Sequence, residues 1–192
     1  MRIFESKSPV VQTNLLVIRD RQSDIIDFRK AVSNMSAVLS GDATKDLGDS
    51  HNAIAIPILR AGLGLLTGFL DAAPAAEVGF LGMKRDEETL LPETYMKRIP
   101  DDLSNMNVFV LEPMLATGGS LADALHLIFD HGAKSVKLLC LLVAPEGIKK
   151  LETEFPDKNI DLYCAKIDEG LDEVGYIVPG IGDAGDRLFG KS

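Results

Sequence analysis

The sequence has no apolar run long enough to cross a bilayer. The longest, "LLCLLVA" at 138–144, has seven residues, where a spanning helix needs about twenty. The opening "MRIFESKSPVV" lacks the apolar core of a secretory signal. Basic residues are in the minority: 20 Lys and Arg against 29 Asp and Glu give a net charge of -9. That balance argues against non-specific binding to nucleic acid or an anionic membrane, so an anionic small molecule would need locally placed arginines. Cysteine is scarce. Cys140 and Cys164 fall in apolar, strand-like runs, so both are expected to be buried free thiols. The three histidines, His51, His126 and His131, show no metal-ligand spacing. His131 closes a helix, where the dipole favours it. No repeat, low-complexity segment or linker divides the chain. The expectation is one cytoplasmic domain over 1–192, an enzyme or a binding protein.

What is present is an alternation of elements. "SDIIDFRKAVSNMSAVL" repeats apolar residues at Ile25, Phe28, Val32, Met35 and Leu39, a helical stripe that Ser23 or Asp24 can cap. "AIAIPIL", "EVGFLGM", "NVFVLE", "SVKLLCLLVAP" and "IDLYCAKI" are short apolar runs that read as buried strands. "GSLADALHLIFDHG" and "EGIKKLETEFP" read as helices, the first ending at Gly132. Continuous apolar strands alternating with helices predict an α/β fold, a mostly parallel sheet covered by helices on both faces. The charged stretch 83–100 reads as a short hairpin. The tail from Asp168 carries five glycines and a proline after Glu173, and reads as an irregular glycine-rich loop without a helix.

Ligands of open α/β sheets sit at the carboxyl ends of strands. "PILRAGLG" at 57–64 places Arg60 in such a corner, where its guanidinium could grip phosphate. "LEPMLATGGS" at 111–120 runs from strand to helix. Its helix would open at Gly119 and offer backbone amides to a phosphate, with Thr117 and Ser120 adding hydroxyls. Glu112 would repel that phosphate and suits sugar hydroxyls on the far side. Lys84 and Arg85 lie in the hairpin and could close over a second anionic group. Two glycine patterns fail on context. "GLGLLTG" has its last glycine one place late for a dinucleotide fingerprint. "GIGDAG" matches the spacing, but Pro179 precedes it and too little chain follows for a helix to receive a pyrophosphate.

Together "PILRAGLG", "RDEETLLP", "LEPMLATGGS" and "YIVPGIGDAGDRLFG" resemble the uracil phosphoribosyltransferases, in the family's order and over about residues 15–190. The resemblance implies transfer of the phosphoribosyl group of 5-phosphoribosyl 1-diphosphate (PRPP) to uracil, giving UMP and pyrophosphate, with Mg2+. No protein side chain is assigned to the metal, which would arrive with PRPP. Carried over by position, Arg60 and Arg85 would meet the pyrophosphate. Glu112, Pro113, Met114, Leu115, Ala116, Thr117, Gly118, Gly119 and Ser120 would hold the ribose 5-phosphate. Ile177, Gly182, Asp183 and Ala184 would line the uracil pocket, with Asp183 also facing PRPP. The catalytic candidates are Arg60, Arg85 and Asp183. Nothing in the tail names uracil on physical grounds alone.

This chain departs from the family twice. Glu112 stands where the family has Asp. The link 43–62 lacks a strand-forming stretch that usually belongs to an arm between subunits, so the implied homodimer should have a smaller interface. Two function classes follow: an active enzyme of pyrimidine salvage, or a PRPP- or uracil-binding regulator that has lost catalysis. The arginines, TGGS and GDAGD favour the enzyme; Glu112 and the short link favour the regulator. Transfer to another base is a third option.

Overall fold

The computed structural model describes residues 1–48, 52–85 and 92–190, and the side chains of all of these except 84, 85, 92 and 93. The chain opens with β1 (Arg2–Glu5), α1 (Pro9–Arg19) and α2 (Ile25–Ala43). Then come β2 (Ala53–Leu59), α3 (Leu63–Ala72), β3 (Glu77–Val78), β4 (Phe80–Arg85) and β5 (Pro92–Arg98). The second half holds β6 (Asn107–Leu111), β7 (Met114–Leu115), α4 (Gly119–Asp130), β8 (Ser135–Val143), α5 (Pro145–Glu154) and β9 (Asn159–Ile167). It ends with β10 (Gly170–Leu171), β11 (Ile177–Val178) and α6 (Ala184–Phe189).

Among the described residues nine strands form one sheet in the order β1-β9-β8-β6-β2-β4-β5, with β3 beside β2 and β7 beside β8. The β4–β5 pair is antiparallel and the other pairs of this sheet are parallel. The expected parallel α/β sheet is there, and the charged stretch 83–100 contributes to the antiparallel β4–β5 pair, while its residues 86–91 lie outside the described residues.

The central strands β2, β6 and β8 are largely apolar because both of their faces are buried. Along β2, Ala53 and Ala55 face the layer of α1, α2 and α3, while Ile54, Ile56 and Ile58 face α4 and α5. On β6, Phe109 and Leu111 alternate in the same way with Val108 and Val110. The alternation slips on β8 at Leu142, where the amides of Leu141 and Leu142 both donate to the Pro113 carbonyl, at 2.9 and 3.0 Å. There the corner after β6 presses into the sheet.

The chain leaves β2 through α3 to reach β4 on one side, then returns to β6 on the other. Helix α3 covers one face and α4 the other, so a crevice opens where β2 and β6 end. This reversal of strand order is the usual ligand site of such sheets. It brings Arg60 and Glu112 together.

Several elements depart from the sequence reading. The tail is not wholly irregular: α6 forms because the Asp183 carboxylate caps it, accepting from the Asp186 amide at 2.8 Å, and Leu188 buries against α3. A short helix therefore does follow "GIGDAG". Only six residues long and capped by a carboxylate that would repel a pyrophosphate, it does not suit a dinucleotide, and that reading still fails. Helices α1 and α3 and edge strand β1 were not read from the sequence. On α2, Asp24 is the cap, accepting from the Asp27 amide at 2.8 Å, but Ile25 is 40 % exposed rather than part of the buried stripe. Cys140 and Cys164 are free and buried, paired in register on β8 and β9. Burial pushes the Cys164 thiol up to about 12, which leaves it inert. His131 caps α4, a ring nitrogen 2.7 Å from the Leu127 carbonyl.

Candidate active site

Two adjoining cavities occupy the crevice. The larger, about 340 Å³, is walled by Arg60 and Ala61 after β2, by Glu112, Met114 and Ala116 after β6, and by the tail. From the tail come Gly175, Tyr176 and Ile177, then Gly182, Asp183, Ala184 and Gly185. The smaller, about 170 Å³, shares Glu112, Met114 and Ala116 and continues along Thr117, Gly118, Gly119, Ser120 and Leu121. Glu112, Met114 and Ala116 form the partition between a chamber at a helix start and a chamber under the tail.

The small chamber is shaped by backbone. Gly118 is the residue before α4, with φ +80°, a conformation that L side chains rarely adopt. A Cβ there would lie 3.3 Å from the Gly147 carbonyl oxygen at the start of α5. Helix α4 opens at Gly119, as the sequence suggests, and no side chain caps it. Its first amides are thus available to an anion. Across the crevice, the loop after β2 approaches β6 so closely that a Cβ on Gly62 would lie 2.2 Å from the Leu111 oxygen. The Leu59–Arg60 peptide bond is cis.

Arg60 is half-exposed, and Nη2 lies 3.5 Å from Asp186 Oδ1 on α6. Glu112 is the enclosed acid. Its amide donates to the Leu139 carbonyl at 3.1 Å, which fixes the turn out of β6. Its Oε1 lies 3.5 Å from the Met114 amide. Burial, opposed by that amide and reinforced by the charge of Asp183, pushes the carboxyl up to about 8. The sequence reading treats Glu112 as a charged acceptor; in the folded chain burial shifts its balance toward the protonated form.

Of the residues singled out by sequence, Arg60, Glu112, Met114, Ala116, Thr117, Gly118, Gly119, Ser120, Ile177, Gly182, Asp183 and Ala184 all line the paired cavities. Pro113 and Leu115 line neither. Leu115 packs in the α4–α5 core, and the carbonyls of both serve β8 and the start of α5. They shape the loop rather than face a ligand. The Arg85 backbone ends β4, opposite Pro92, while the side chains of Lys84 and Arg85 lie outside the described residues. Sequence reasoning missed Ala61, Leu121, Gly175, Tyr176 and Gly185 as lining. Tyr176 had a signal, an exposed aromatic among glycines; the others had none.

Among the described residues no group of three or more His, Cys, Asp or Glu is placed to hold a metal ion, and no helix is long and apolar enough to cross a membrane.

The pattern that defines "Uracil phosphoribosyltransferase" matches residues 46–191. A uracil phosphoribosyltransferase of Kineococcus radiotolerans is 46% identical, covering 99% of both chains. One from Clostridium botulinum is 44% identical, covering 98% of both. The first alignment spans 209 positions, 17 more than the 192 residues of this chain, so the relative carries residues with no counterpart here. Among solved structures, the AQ2163 protein from Aquifex aeolicus superposes with a TM-score of 0.91 at 36% identity, covering 99% of both chains. A hypoxanthine-guanine phosphoribosyltransferase from Bacillus anthracis, 17% identical over 75% of this chain and 80% of its own, shares the fold with a TM-score of 0.56. With the family pattern matched over 46–191 and relatives alike over nearly their whole length, the chain belongs to the uracil phosphoribosyltransferase family.

Proposed function

We propose that the protein, as a single phosphoribosyltransferase domain, transfers the 5-phosphoribosyl group of PRPP to uracil, giving UMP and pyrophosphate. The observation that carries this reading is the pair of chambers joined at Glu112, Met114 and Ala116. A nucleotide needs that division, a phosphate at one end and a base at the other, with the sugar across the partition.

The 5-phosphate goes to the amides and hydroxyls of 117–120 at the start of α4, where the helix dipole favours a dianion. The ribose hydroxyls face Glu112. Uracil lies under the tail, against Ile177, Gly182 and Ala184. Arg60 meets the pyrophosphate, and Arg85, from the end of β4, is proposed for the same group. During transfer the bond from C1 to pyrophosphate breaks, N1 of uracil bonds to C1 from the opposite face, and the N1 proton passes to the departing pyrophosphate or to water. Negative charge gathers on the departing pyrophosphate, where Arg60 stabilises it, while the sugar is fixed by the loop. Asp183, a carboxylate at the cavity edge, faces the developing positive charge on the sugar.

Oxygen donors are what Mg2+ requires, and it is commonly bound by one or two carboxylates plus substrate phosphates. Of the lining carboxylates Asp183 would suit that role, with the pyrophosphate supplying the remaining ligands. The ion would supply neutralisation of the leaving group.

A cytoplasmic location and a homodimer belong to the same reading, since a phosphorylated sugar donor does not cross membranes unaided. The dimer is checked by light scattering at micromolar and nanomolar concentration. The activity is tested with radiolabelled uracil, PRPP and Mg2+. UMP formation is expected. PRPP binding without UMP would instead favour the regulatory reading.

A further inference from the structure

Asp168 follows β9 directly, and its side chain is 2% exposed. Its amide donates to the Val143 carbonyl at 2.9 Å, which ties it to the sheet. One carboxylate oxygen accepts from Arg19 Nη2 at 2.5 Å, and the other accepts from the Gly180 amide at 3.1 Å. Arg19, in the last turn of α1, also donates from Nη1 to the Gly180 carbonyl at 3.4 Å. The amide and the carbonyl of a single residue are therefore gripped by the two members of one ion pair.

Gly180 itself lines neither chamber. It sits between Ile177 and Gly182, which do. Its φ is +53°, and a Cβ there would lie 2.0 Å from the Ile177 oxygen, so the turn is tight and its path is set at this point. From the other side, Arg187 of α6 donates to the carbonyls of Ile18 and Ile181, and to that of Asp20 at 2.7 Å. Its guanidinium stacks 4.1 Å from the Phe28 ring centroid. The end of α1 thus holds the roof of the larger chamber at both ends of the stretch 180–187, through side chains that reach no ligand.

We infer that Arg19 and Asp168 are positioning residues for the base, setting the Gly180 turn and through it the uracil-facing edge of the site. The inference rests on the proposed base chamber. The phosphate chamber has separate supports, namely β7 and the start of α5 against Gly118. Loss of the pair should therefore weaken base binding while sparing the sugar phosphate. A pair that merely stabilised the fold would weaken both or neither.

The test is calorimetry with UMP and with ribose 5-phosphate, whose affinity ratio isolates the contribution of the base. In Asp168→Ala that ratio should fall about tenfold, the effect of losing hydrogen bonds to a charged group, with ribose 5-phosphate affinity within about twofold of wild type. Arg19→Ala should do the same, and Arg19→Lys should restore part of the ratio. Asp168→Ala leaves a hole at a buried position, so the Arg19 pair of variants, at a partly exposed position, decides the question alone. An unchanged ratio in folded Arg19→Ala, or a parallel loss for both ligands, overturns the inference. Wild type binding UMP no better than ribose 5-phosphate would instead refute the base chamber from which it starts.

Discussion

Arg60 Nη2 stands 3.5 Å from Asp186 Oδ1, so the loop after β2 and the helix that ends the tail meet across the mouth of the cavity. Both side chains are well exposed, at 47% and 37%, and an ion pair so solvated contributes about 0 to 1 kcal/mol. The guanidinium can leave this partner for an anionic ligand at little cost. Arg60→Ala should accordingly lower kcat/KM for PRPP by more than about tenfold while changing unfolding free energy by less than about 1 kcal/mol. Paired kinetics and urea denaturation check this, and a large stability loss with intact kinetics would give Arg60 a structural role instead.

Glu112 makes stability depend on pH. Its folded value, about 8, lies above the roughly 4.3 of an unfolded glutamic acid. The folded state then holds the proton more tightly. The contribution is fully present below about pH 4 and is lost as pH rises through about 8. Relative to Glu112→Gln, wild type should lose stability steadily between about pH 5 and pH 8. Denaturant titrations of both proteins across that range give the difference directly, and a flat difference would show that burial does not hold the proton.

Gly118→Ala should show what the left-handed corner is for. With φ +80° at this residue, a methyl group costs about 1 to 2 kcal/mol in backbone strain and presses on the Gly147 carbonyl. A lowered melting temperature is expected, together with weaker ribose 5-phosphate binding, because the amides that follow would shift. Calorimetry showing full affinity in the folded variant would remove the phosphate role from this loop.

Much of this was legible in the sequence because it is local. The apolar strands, the corner at Glu112 and the helix opening at Gly119 each follow from neighbours within a few residues. Helix α1 was missed although Pro9 stands in its first turn and Val11, Leu15 and Ile18 recur at helical spacing; its start lacks a side-chain cap. Helix α3 hid behind its glycines, Gly64 and Gly68, which suggest a loop but admit close packing of Leu188 and α2. Strand β1 gave no pattern because its four residues are all exposed at the sheet edge. The Arg19–Asp168 pair joins positions 149 apart, and no local rule announces it. The raised proton affinity of Glu112 is likewise a product of burial, which only the folded chain reveals.

The central claim is that one chamber reads sugar phosphate and the other reads uracil. Its most direct measurement is the ratio of kcat/KM for uracil, cytosine and hypoxanthine at fixed PRPP and Mg2+. Fixed main-chain groups around the base leave polar atoms unpaired against the wrong edge, a penalty that can reach about 10⁴-fold. The account predicts UMP from uracil, with cytosine and hypoxanthine slower by at least about a thousandfold. Comparable turnover of either competitor would contradict it.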